Sequence, residues 1–125
     1  MNATSGKLRK SAASQRGNDP AVAETIDKMV RRIVRRFHPD KIILFGSQAR
    51  RTTNADSDVD LLVVMPVDGS TLDKSIEIGC TLHHINVAKD IIVVTPEKFE
   101  KRKDIIGTLA YEAAQEGKTL YARLA

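Results

Sequence analysis

The stretch Phe45-Gly46-Ser47-Gln48-Ala49-Arg50-Arg51-Thr52-Thr53-Asn54-Ala55-Asp56-Ser57-Asp58-Val59-Asp60-Leu61 decides how the rest of the chain is read. It links two aliphatic runs, Lys41 to Phe45 and Asp58 to Met65, and both read as strands. The second run is continuous rather than alternating, which predicts a strand buried on both faces. Gly46-Ser47 breaks the first strand and opens a short helix through Arg51, and Thr52 to Ser57 is a polar loop.

Residues two apart on a strand project from one face, so Asp58 and Asp60 point together with roots about 7 Å apart. Two carboxylates beside an apolar run repel each other and lose solvation. A cation relieves that conflict, and an all-oxygen ligand set suits Mg²⁺ or Mn²⁺. Gly46 allows close backbone approach to a ligand, Ser47 supplies a hydroxyl, and backbone N–H groups opening the next helix favour an anion. One end of the sheet then offers a phosphate seat beside a metal seat. Asp90 directly precedes the apolar run Ile91 to Val94. If that strand lies next to the Asp58 strand, Asp90 becomes a third carboxylate, able to bind metal and to take a proton, as phosphoryl or nucleotidyl transfer requires.

Outward from this core, Pro20 follows a capping Asp19. Val22, Ile26, Met29, Val30, Ile33, Val34 and Phe37 then recur with helical spacing, and Lys28, Arg31, Arg32, Arg35 and Arg36 fill the other side. That basic side reads as a solvated face, with contact to an acidic partner or nucleic acid as the alternative. His38-Pro39-Asp40 ends the helix. Further helices are expected over Thr71 to about His84, from Thr95-Pro96-Glu97, and over about Ile105 to Glu116, ending at Gly117. Val87 to Val94 is a third strand, and Lys118 to Tyr121 a short edge strand. Helices alternating with strands predict an α/β sheet with helices packed on it.

A length of 125 residues predicts one domain, and 42% apolar with 29% charged residues is ordinary for a globular protein. No apolar run approaches the roughly 20 residues of a membrane-spanning helix, and the first residues lack a signal peptide's apolar centre. The single cysteine, Cys80, excludes an internal disulfide and is read as a buried or neutral thiol in a reducing cytoplasm. Of the net charge of +4, residues 1–19 carry +3, through Lys7, Arg9, Lys10 and Arg16 against Asp19. Their composition predicts a disordered basic tail, leaving 20–125 as the domain. With the excess charge in the tail, no Trp and few aromatics to stack bases, the reading argues against a nucleic-acid partner.

The quoted stretch resembles the signature of the polymerase-beta-type nucleotidyltransferase superfamily: an apolar residue, Gly, Gly or Ser, a spacer of about ten, then Asp, apolar, Asp, apolar. Gly46-Ser-x-Ala-Arg50, Ser57-Asp-x-Asp-Leu-Leu-Val63, Asp90-Ile-Ile-Val-Val-Thr-Pro-Glu97 and Glu116-Gly-Lys-x-Leu-Tyr121 make it similar to the minimal nucleotidyltransferases over roughly residues 22 to 121. The resemblance implies a polymerase-beta-like fold with a small mixed sheet. It implies that Gly46 and Ser47 hold the β and γ phosphates of a nucleoside triphosphate, with Arg50 reaching a phosphate. Asp58, Asp60 and Asp90 become catalytic metal ligands for two Mg²⁺ ions, with Mn²⁺ as substitute. Arg51 departs from relatives that often carry Gly there. Minimal nucleotidyltransferases are often paired with a helical HEPN toxin, and as antitoxins they add AMP from ATP to a toxin tyrosine. The expected activity is therefore protein adenylylation in the cytoplasm, with a HEPN partner and with homo-oligomerisation left open.

Two alternatives stand beside it: a non-catalytic module that binds nucleotide and partner, and a small-molecule nucleotidyltransferase like those acting on aminoglycosides, which carry an added helical domain. Other motifs fail. Asp56-x-Asp58-x-Asp60 begins like an EF-hand, but Leu61 and Val67 stand where Gly and Glu are needed. No Gly-Lys-Ser/Thr follows Gly46, which excludes a Walker P-loop. Arg32-x₅-His38 only superficially matches the HEPN ribonuclease motif, and His83 with His84 read as surface residues.

Overall fold

The computed structural model describes residues 20–46 and 58–124. The tail reading for residues 1–19 and the helix expected through Arg51 lie outside the described residues. The elements, in order, are α1 (Pro20–Phe37), β1 (Lys41–Phe45), β2 (Val59–Val64), α2 (Thr71–Thr81), β3 (Lys89–Val94), α3 (Pro96–Arg102), α4 (Leu109–Glu116) and β4 (Lys118–Ala122). The strands form one mixed sheet in the order β3-β2-β1-β4. β1 pairs antiparallel with both β2 and β4, and β2 pairs parallel with β3.

Both sheet faces are covered, which explains the continuous apolar runs. On one face Ile42, Leu44, Leu61, Val63 and Val93 pack with Met29 and Ile33 of α1 and with Ile78 of α2. On the other, Ile43, Phe45, Leu62 and Val64 meet Phe99 of α3 and Ala110 and Ala113 of α4. Ile33 and Met29 are completely buried, each worth roughly 1.5–3 kcal/mol against exposure. The face built on alanines brings α4 close to the sheet. At its end Gly117 has an extended backbone, φ −81°, rather than the left-handed turn expected of a helix-ending glycine. Glycine is needed there for space, since a Cβ would run into the Ala113 carbonyl oxygen and Ile43 Cγ2.

The boundaries shift for local reasons. α1 ends where His38 turns left-handed, φ 52°, while its N–H still bonds Val34 O at 3.0 Å. Arg123 holds that corner: its guanidinium donates to His38 O and lies 3.5 Å from Asp40 Oδ1, and its N–H bonds Asp40 O at 2.8 Å. α2 stops at Thr81, and β3 starts at Lys89 rather than Val87. The last helix begins at Leu109, four residues later than the expected Ile105. Thr108 caps it by accepting from Tyr111 N, while its hydroxyl engages Arg102 O and Ile105 O. That bonding holds Ile105 and Ile106 in an exposed turn. Edge strand β3 has one outward group covered, Val93 N–H, which donates to Ser75 Oγ of α2 at 3.0 Å. Cys80 is exposed, contrary to the buried reading, because it lies off the α2 stripe marked by Ile78. No described helix is long and apolar enough to cross a membrane.

Candidate active site

Three of the six expected site residues meet through backbone register. Phe45 pairs with Asp60 across β1 and β2, placing Gly46 at the same end of the sheet. Asp60 pairs with Asp90 across β2 and β3, with roots about 4.8 Å apart at the usual strand spacing. Asp58 is the residue before β2, exposed, and shares the side-chain face of Asp60 by alternation. Asp60, Leu62 and Val64 face α3 and α4, as do Asp90, Ile92 and Val94. Ser47 and Arg50, like Arg51, lie outside the described residues.

Gly46 has φ 75°, a left-handed conformation that disfavours a side chain. A Cβ on Gly46 would collide with the carboxylate oxygen Oδ2 of Asp60. The glycine therefore fits the backbone around Asp60 itself.

Burial pushes the Asp60 carboxyl above its ordinary value, and the charges of Asp90, Asp58 and Glu112 add to the push. Glu112, on α4, is the acid that sequence reasoning missed. It adjoins the inward Ala110 and Ala113, so the helical period was its only available signal. Asp60 is thus an acid held at energetic cost beside other acids, the condition that a bound cation relieves. The donor chemistry fits a hard cation. Among the described residues, however, no three His, Cys, Asp or Glu side chains converge closely enough to hold an ion. The backbone register sets Asp60 beside Asp90. A groove of about 520 Å³ opens beside Asp90, between α2 and β3, with Leu72 and Ile76 on its wall.

A left-handed glycine thus lies against a half-buried strand aspartate, with a second aspartate in register on the neighbouring strand. The chain belongs to the nucleotidyltransferase domain family, whose model matches residues 26–118. Members of that family generally act on a nucleoside triphosphate with a divalent metal. Among solved structures the fold is similar to a protein of Sulfolobus solfataricus assigned as a nucleotidyltransferase, with TM-score 0.63 and 16% identity over 91% of each chain. It is also similar to a chain of the toxin–antitoxin MntA–HpeT complex in a mutant form, with TM-score 0.53 and 16% identity over 78% of this chain and 72% of that one. At such identities the likeness is one of fold. A comparison with curated proteins gives no significant match.

Proposed function

We propose that this protein transfers a nucleoside monophosphate, AMP from ATP, to a tyrosine hydroxyl of a helical HEPN-type toxin and serves as its antitoxin. The observation that carries the chemistry is the register of Asp60 with Asp90 beside left-handed Gly46. The likeness in fold to a chain of the MntA–HpeT complex supports a toxin partner.

In this reading Gly46 and Ser47 seat the β and γ phosphates, Arg50 reaches a phosphate, and Asp58, Asp60 and Asp90 hold Mg²⁺. Bound ions supply charge neutralisation on the attacking and leaving oxygens. Asp90, exposed at the mouth of the groove, accepts the acceptor's proton. The hydroxyl oxygen bonds the α-phosphorus, the bond to the pyrophosphate oxygen breaks, and pyrophosphate leaves. A bound cation would offset the burial and the neighbouring carboxylate charges that raise the proton affinity of Asp60.

A second reading is a module that binds nucleotide and partner without turnover, in keeping with the lack, among the described residues, of three His, Cys, Asp or Glu side chains close enough to hold an ion. One experiment separates the two. The protein is incubated with Mg²⁺, α-labelled ATP and a co-purified helical partner, beside the Asp58→Asn/Asp60→Asn variant. Label and an AMP mass shift on a partner tyrosine with the wild type alone are expected. Equal labelling by both proteins refutes catalysis at these aspartates. Neutralisation of the partner by both proteins, with no label on either, establishes the binding module.

A further inference from the structure

The basic side of α1 is exposed, and it also lines a groove. Lys28, Arg31, Arg32 and Arg35 form one wall of a groove of about 610 Å³, whose other wall is His84 and Asn86 in the loop leading into β3. Arg31 is engaged by Asp27 at 3.2 Å. Among the described residues Lys28, Arg32 and Arg35 have no acidic side chain within ion-pair distance, and all three are exposed. The excess charge assigned above to residues 1–19 therefore has a second concentration on the folded domain.

We propose that this groove is a nucleic-acid site that grips the phosphate backbone of a duplex. Three observations favour that ligand. First, Ile85 is the one apolar residue among the lining. A protein–protein interface concentrates apolar and aromatic anchors and excludes charge at its centre, whereas protein–nucleic acid interfaces are far more polar and positive. Second, among the described residues His84 is the only ring in the lining, so the groove offers little platform for stacking a run of unpaired bases, which favours a duplex over a single strand. Third, the cations recur once per helical turn. Lys28 to Arg35 spans about 10.5 Å of helix axis, a row of charge that can follow one phosphate strand. The contacts are to backbone alone and carry no base readout.

The groove lies on the α1 face, but its loop wall ends at the sheet edge that carries the carboxylates. His84 to Asn86 shortly precede Ala88, whose carbonyl accepts from Val59 N at 2.9 Å. A duplex in the groove therefore sits round the rim from Asp60 and Asp90, and leaves the groove beside Asp90 open for an acceptor.

The test is fluorescence anisotropy of a labelled short duplex DNA titrated with the full chain over a range of salt. Lys28→Ala/Arg32→Ala/Arg35→Ala removes the groove cations. Lys98→Ala/Lys101→Ala/Arg102→Ala removes the same charge from α3 on the opposite face. Lys7→Ala/Arg9→Ala/Lys10→Ala/Arg16→Ala neutralises the tail. Circular dichroism checks that each variant is folded. The groove variant is expected to bind roughly tenfold or more weakly at moderate salt, and its log–log salt slope to fall by about 2.7, that is, about 0.9 per lost phosphate contact. The α3 and tail variants are expected to keep most of the affinity. Wild-type binding by the groove variant, or an equal loss in the α3 variant, overturns the proposal. So does tighter groove-dependent binding of single-stranded DNA or of polyglutamate, which would identify an unpaired strand or an acidic protein as the ligand.

Discussion

Replacing Gly46 with Ala imposes two separable costs, and the structure assigns each to a cause. The backbone is left-handed there, φ 75°, which costs roughly 1–2 kcal/mol for a residue with a Cβ. The new methyl also meets Asp60 Oδ2, an overpacking that costs about 1–3 kcal/mol. The total of about 2–5 kcal/mol is a large share of a domain stability of ~5–15 kcal/mol. Only the second cost depends on the Asp60 carboxylate. In an Asp60→Ala background, Gly46→Ala is expected to cost just the conformational ~1–2 kcal/mol. A double-mutant cycle by urea unfolding isolates the difference, provided the denaturant slope is unchanged. Equal costs in the two backgrounds would refute the close approach of Gly46 to Asp60, and with it the argument that this glycine serves the aspartate as well as a phosphate.

Asp60→Asn is expected to raise stability in the absence of metal. The folded Asp60 holds its proton above the ordinary value of 3.8, so its contribution falls as pH rises from there through the higher folded value. The advantage of the variant should be small at acid pH and full at neutral pH, and urea unfolding at both checks it. Mg²⁺ with ATP at ten times its Kd should stabilise the wild type by about 1.4 kcal/mol, with no thermal shift for Asp58→Asn/Asp60→Asn; a shift retained by that variant places the ligand elsewhere. Thr108→Ala removes the cap of α4 and should cost about 1 kcal/mol, measured by chemical denaturation, with the loss of its bonds to Arg102 O and Ile105 O included.

What the sequence disclosed and what it hid follow from the range of the interactions. The apolar period of α1 and the unbroken run Leu61 to Met65 are local signals, and both elements fell where expected. The neighbour relation of Asp60 and Asp90 was legible only as a condition, because strand order is decided by packing across the chain. Helix ends were harder. The local signal at the start of α4 is Gly107-Thr108, with Gly107 left-handed at φ 98° and Thr108 capping, and the hydroxyl of Thr108 reaches back to Arg102 and Ile105. Glu112 stayed hidden because its relevance is a distance to Asp60, not a motif. The basic side of α1 is exposed, as read, and the groove it forms with His84 and Asn86 stayed hidden because that second wall comes from a loop far along the chain.

The position of β4 also sets an order of events during synthesis. β1 is an interior strand with Ile42 to Phe45 all buried, yet its outer neighbour, β4, leaves the ribosome last of the four. Until Lys118–Ala122 emerges, β1 presents an unpaired apolar edge, the kind of surface that recruits foreign strands. Arg123 then latches β4 to His38 and Asp40. The growing chain is therefore most exposed to misassembly after the strands that carry Asp60 and Asp90 have been made and before β4 arrives.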